Sequence, residues 1–76
     1  MMEEIRPLDW LDTEEIGLAL FEAYPERNPL SVRFTELRDL VLALPGFRGG
    51  RDGCNEKILE AIQMAWYEEA QEEREG

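Results

Sequence analysis

The chain has 76 residues, with 18 Asp and Glu against eight Lys and Arg, a formal charge of −10 at neutral pH, one Cys and no His. That length fits one domain, and without His neither a Ser-His-Asp nor a Cys-His catalytic set can form. A lone Cys excludes an internal disulfide and a Cys-based zinc site, and no apolar run reaches membrane-spanning length, so the expectation is a soluble, reducing, intracellular domain.

Residues 1–7 read as a flexible terminus. Asp12 is the expected N-cap of a first helix over 13–24, with Glu15 in capping-box spacing. Ile16, Ala19, Leu20 and Ala23 fall at i, i+3, i+4 and i+7 and form its apolar stripe. Pro25 stops it, because a proline disfavours helical backbone in the residue before it. Glu26 to Pro29 reads as a turn. Ser31 to Phe34 is partly β-branched and is expected to be extended, pairing briefly with Leu8 to Trp10. Thr35 is the expected cap of a second helix over 35–44, carrying Leu37, Leu40, Val41 and Leu44. Pro45 and Gly46 end that helix. Phe47 to Gly53 holds three glycines and reads as a loop. Asn55 caps a third helix over 55–70, with Ile58, Leu59, Ile62, Ala65 and Trp66 inward. Residues 71–76 are polar and are expected to fray. Leu20, Phe34, Leu40, Ile58, Ile62 and Trp66 are the expected core.

Charge is unevenly placed. Residues 1–26 hold eight acids and one Arg, residues 27–51 hold five Arg and two acids, and residues 52–76 hold eight acids and two basic residues. Acidic ends therefore flank a mildly basic middle. Such a surface repels nucleic acid and anionic lipid and favours a basic protein patch or a cation. The expectation is no nucleic-acid partner, no membrane partner and a monomer.

An enzyme is not expected. Acid–base work by Asp or Glu needs a concave pocket, which three short helices seldom enclose. The glycines at 46, 49, 50 and 53 lack the Walker Lys and the preceding strand, so a nucleotide loop is not expected. Cys54 precedes a helix, but no His or second Cys supports a redox role. Carboxylate pairs are the better lead. Glu15 and Glu22 lie seven apart, Glu22 and Glu26 four apart, and Glu56 and Glu60 four apart, as are Glu68 with Glu72 and Glu69 with Glu73. Like charges at i, i+4 cost a helix a few tenths of a kcal/mol. Their retention hints at an external user, whether a hard cation with oxygen ligands or a basic protein.

Three ordered stretches then carry a resemblance. Leu8-Asp9-Trp10 with Asp12, Glu15-Ile16-Gly17, Ala19-Leu20, Ala23-Tyr24-Pro25 and Pro29 resembles the opening of the IscX family. Val32-Arg33-Phe34-Thr35 resembles that family's central motif. Asn55-Glu56-Lys57-Ile58-Leu59-Glu60-Ala61-Ile62, continuing to Trp66 and Glu69-Ala70, resembles its last helix. The match covers residues 8 to 70 in collinear order, as one domain.

The resemblance implies a mostly α, three-helix modified winged-helix fold. It implies a cytoplasmic accessory protein of iron–sulfur cluster assembly that binds the pathway's cysteine desulfurase and binds iron weakly, as an iron-dependent regulator or adaptor. An iron-donating metallochaperone and a general acidic interaction module are the competing readings. The acids expected at the partner surface are Asp12, Glu15, Glu22, Glu26, Glu56, Glu60 and Glu69, with Glu15, Glu22 and Glu26 around the iron (Fe2+ or Fe3+). Two departures stand out. The family's Asp-rich loop before the last helix is here Phe47-Arg48-Gly49-Gly50-Arg51-Asp52-Gly53, and Leu18 and Asn28 occupy positions where the resemblance leads one to expect acids. An apolar interface anchored on residues such as Trp10 is the alternative to a charged one.

Overall fold

The computed structural model describes residues 8–75, the side chains of Arg51 and of residues 73–75 apart. The expected flexible segment 1–7 lies outside the described residues. Three helices form the body: α1 over Thr13–Ala23, α2 over Phe34–Leu42 and α3 over Glu56–Glu75. Short 3-10 turns at Pro29–Ser31 and Arg51–Gly53 sit in the two connections. The architecture is mostly α. Among the described residues the extended structure is one isolated parallel bridge, Leu8 with Phe47.

Several helix boundaries depart from the expected ones. Helix α2 ends at Leu42, two residues short of 44, with Ala43 as its C-cap, so Pro45 and Gly46 lie beyond its end. Asp12 is the N-cap residue of α1 but makes no side-chain cap bond. Its carboxylate turns back instead and accepts from the Asp9 N–H at 2.9 Å. Thr35 does not cap α2, because the helix opens one residue earlier, with Arg33 at the cap. Ser31 to Phe34 does not pair with Leu8 to Trp10. Ser31 closes a 3-10 turn and Phe34 opens α2, which leaves only Val32 and Arg33 between them. Leu8 bonds across to the loop after α2, donating to the Gly46 carbonyl at 3.0 Å and accepting from Arg48 N–H at 2.8 Å. Asn55 caps α3 as expected, its Oδ1 accepting from Ile58 N–H at 2.9 Å. The third helix runs to Glu75, five residues beyond its expected end.

Ile16, Leu20, Leu37, Val41, Leu59, Ile62 and Trp66 meet in the core, joined by Trp10, Val32 and Leu44. Of the six residues expected there, Leu20, Ile62 and Trp66 are fully buried, while Phe34, Leu40 and Ile58 pack on its edge, half-buried. Helices α1 and α3 make the closest seam. A Cβ on Gly17 would stand 2.6 Å from the Cβ of Ala65 and 2.8 Å from the Trp66 backbone nitrogen. Glycine is therefore the residue that lets these two backbones meet. The 3-10 turn at Pro29–Ser31 is tied to α3 by Gln63, whose Nε2 donates to the Pro29 carbonyl at 2.9 Å.

Candidate functional site

The connection between α2 and α3 is fastened by one side chain. Trp10 is 2% exposed, and its indole N–H donates to the Gly50 carbonyl at 2.6 Å. Its ring meets Phe47 edge-on, at 4.8 Å between centroids. A Cβ at Gly49 or Gly53 would fall within 2.7 Å of the indole Cδ1. These glycines serve close approach to a tryptophan, which is why they lack the spacing of a phosphate loop. Gly46 has a different reason, a φ of +82° that side-chain-bearing residues rarely adopt. Trp10 is thus the lock of the loop, and the alternative that it anchors an apolar interface is corrected by its burial.

The chemistry-bearing groups lie on the outside. Among the described residues no polar or charged side chain is fully buried. Glu15 and Glu22 are exposed on α1, away from its buried residues Ile16, Gly17 and Leu20. Glu14 and Glu15 occupy the first turn, where the helix dipole favours negative charge. Asp12 is half-buried at the cap. Glu26 is exposed in the turn that follows Ala23, so the Glu22–Glu26 pair does not continue along the helix. The neighbouring Arg27 reaches α2 instead, its Nη2 donating to Glu36 Oε2 at 2.8 Å. Both partners are about two-fifths or more exposed, so this pair adds little stability.

On α3, Glu56 and Glu60 are exposed and four apart, on one side. Glu69 follows Glu60 by nine residues, about two and a half turns, and is half-buried on the other side of the helix. The acids named from the sequence therefore form an α1 group and a separate α3 group, with Glu69 apart from Glu56 and Glu60.

Carboxylate oxygens suit a hard cation. Among the described residues, no three of Asp, Glu, Cys or His are gathered closely enough to hold a metal ion. Glu15, Glu22 and Glu26, expected around iron from the sequence, are not gathered into such a group.

Two exposed leucines lie nearby, Leu18 on α1 and Leu11 just before its N-cap. Leu11 is 81% exposed and Leu18 41% exposed. The sequence singles out Leu18 only as a position where an acid is expected, and does not single out Leu11. The available signal was their displacement from the Ile16–Leu20 stripe.

These features define a small, acidic, helical domain that presents its carboxylates outward. The family described as Iron-sulphur cluster assembly matches residues 8–71. An uncharacterized protein of Pseudomonas aeruginosa is 47% identical to it over 62 residues, covering 82% of this chain and 94% of that relative. The chain belongs to this iron–sulfur cluster assembly family, the IscX/YfhJ family. Among the described residues no helix is long and apolar enough to cross a membrane.

Proposed function

We propose that this protein is a cytoplasmic accessory of iron–sulfur cluster assembly that binds the pathway's cysteine desulfurase and tunes cluster assembly to iron. The observation that carries the reading is the joint one of family membership and an exposed α1 face rich in Glu. No Lys or Arg lies between Arg6 and Arg27, so a basic groove on the partner would meet unbroken negative charge there. Asp12, Glu15, Glu22 and Glu26 form the main contact, with Glu56, Glu60 and Glu69 of α3 as further contacts. The protein acts as a monomer in the modified winged-helix arrangement of its family.

Iron enters as a weakly held, largely hydrated cation on Glu15, Glu22 and Glu26, and not as a structural metal. Open carboxylates without imidazole or thiolate ligands bind iron loosely, which suits sensing over storage. Iron on this face would offset the charge that the desulfurase reads, coupling the two.

Calorimetry with the purified cysteine desulfurase tests the reading. Complementary charge is screened by salt, so affinity should fall as salt rises from roughly 50 to 300 mM. Absence of binding at low salt would overturn the proposal.

A further inference from the structure

Two kinds of tight glycine contact in this molecule differ in what stands opposite them. Gly17 faces the backbone of α3, where a Cβ would stand 2.8 Å from the Trp66 nitrogen. Gly53 faces one side chain, with a Cβ 2.7 Å from Cδ1 of the Trp10 indole. Gly49 meets the same atom at 2.7 Å and the Phe47 ring at 2.6 Å. A Cβ on Gly50, between them, would have nothing within 4 Å. None of these three loop glycines has a positive φ, so rings and not backbone strain exclude a side chain at 49 and 53. Three hydrogen bonds join the loop to the segment that carries Trp10. Leu8 N–H donates to the Gly46 carbonyl, Arg48 N–H to the Leu8 carbonyl, and the Trp10 indole N–H to the Gly50 carbonyl. Two further backbone bonds stay local, from Phe47 N–H to Leu44 at the end of α2 and from Gly53 N–H to Gly50. Among the described residues no backbone hydrogen bond joins residues 46–53 to α1 or α3. Gly46, Arg48, Gly50, Asp52 and Gly53 are exposed, whereas the indole beneath belongs to the buried core.

We propose that residues 46–53 form a lid over Trp10 that opens as one unit while the three helices stay folded. A segment with exposed backbone bonds and little buried apolar surface opens at lower free energy than a packed core. Here the loop is such a segment, and the indole on which it lies is held from below. The loop is therefore the side that yields. Its three bonds to residues 8–10 end at positions 46, 48 and 50, along five consecutive residues, so lifting the loop off the ring breaks all three together. Opening uncovers the indole with its N–H and the backbone of Leu8, groups that the closed protein keeps occupied. A partner that takes any of them binds only the open state, which links its binding to the lid. The α1–α3 seam works differently, because Gly17 cannot part from Ala65 without separating two helices. The lid does not rest on the desulfurase reading.

Native-state hydrogen exchange, followed by NMR on the full chain in increasing urea, tests this. The Leu8 and Arg48 amides and the Trp10 indole N–H should exchange with one common opening free energy, below that of the Leu20 and Ile62 amides. That free energy should hardly change with urea, because lid opening exposes little surface, while the Leu20 and Ile62 values fall steeply. Two variants then cross-check the unit. Gly17→Ala strains a seam that both lid states share, so it should speed exchange at Leu20 and Ile62 and leave the three lid protons alone. Gly53→Ala strains only the closed state and should speed the lid protons by about tenfold. Leu20 and Ile62 should follow by the same factor, since the closed state is also their starting point. Gly50→Ala, in open space, should speed none of them. Lid protons that follow the steep urea dependence of the core overturn the proposal, as do three separate opening free energies. So does a Gly17→Ala variant that speeds the lid protons as much as the core, or a Gly50→Ala variant that matches Gly53→Ala. A Gly53→Ala chain that circular dichroism shows unfolded would mean that the core, and not the loop, gives way, and overturns it too.

Discussion

Trp10 and Leu11 are adjacent, large and apolar, yet one is 2% exposed and the other 81%. Seven residues on, the pattern repeats: Gly17 is pressed against Ala65, while Leu18 is 41% exposed. One short segment therefore has an inner side governed by shape and an outer side governed by charge and solvent. On the inner side, adding atoms to a glycine or removing them from Trp10 disturbs a packed seam. On the outer side, side chains can change with little effect on the fold, which leaves them open to selection for contact with other molecules.

The sharpest way to break this contrast is Trp10→Ala. It removes a buried indole, its bond to Gly50 and the surface on which Gly49 and Gly53 lie, and should cost about 3–5 kcal/mol. A domain of this size commonly has roughly 4–11 kcal/mol in all, so chemical denaturation should show a large fall in midpoint. Trp10→Phe should lose less, since Gly50 is exposed and water can satisfy its carbonyl. A loss below about 1 kcal/mol for Trp10→Ala would mean that the loop does not depend on this residue.

Next in size is Gly17→Val, expected to destabilise by about 2–3 kcal/mol through overpacking. Adding Ala65→Gly should recover only part, because the Trp66 backbone would remain 2.8 Å from the new Cβ. Full recovery would show that the Ala65 methyl alone, and not the approach of the two backbones, limits the site.

Two measurements on the outer side sharpen the comparison. Reversal of Glu15 and Glu22 to Lys should leave the denaturation midpoint nearly unchanged yet weaken desulfurase binding by about tenfold, each exposed charge being worth up to ~1 kcal/mol. Cys54→Ser should weaken it less. Ferrous iron, at concentrations that leave the fold unchanged, should broaden NMR signals of α1 near Glu15 and Glu22 and of the turn at Glu26. Broadening confined to residues 47–53 would contradict that placement. The smallest effect belongs to Leu11→Ser with Leu18→Ser, whose change in stability should stay within about 0.5 kcal/mol for each site. A larger loss would mean that these leucines pack in solution and that the outer side is not independent of the core.

The sequence by itself determined the three helices, because apolar residues at helical spacing must share one side and because Pro25 and Asn55 act through their own backbone and short-range bonds. It also determined the acidity and the family pattern, which reside in residue identity and order. Asp12 and Thr35 show where local rules stop. Both are good caps in isolation, but Asp12 turned to Asp9, and α2 started a residue before Thr35 could cap it. Tertiary structure alone decided which of two neighbouring apolar residues was used, since Trp10 found the Gly50 carbonyl forty positions away and Leu11 found nothing to cover it. It also decided why the loop is rich in glycine and why Gly17 is small: an indole and another helix backbone occupy the space a side chain would need. Those constraints come from atoms distant in the chain, and local periodicity carries no record of them.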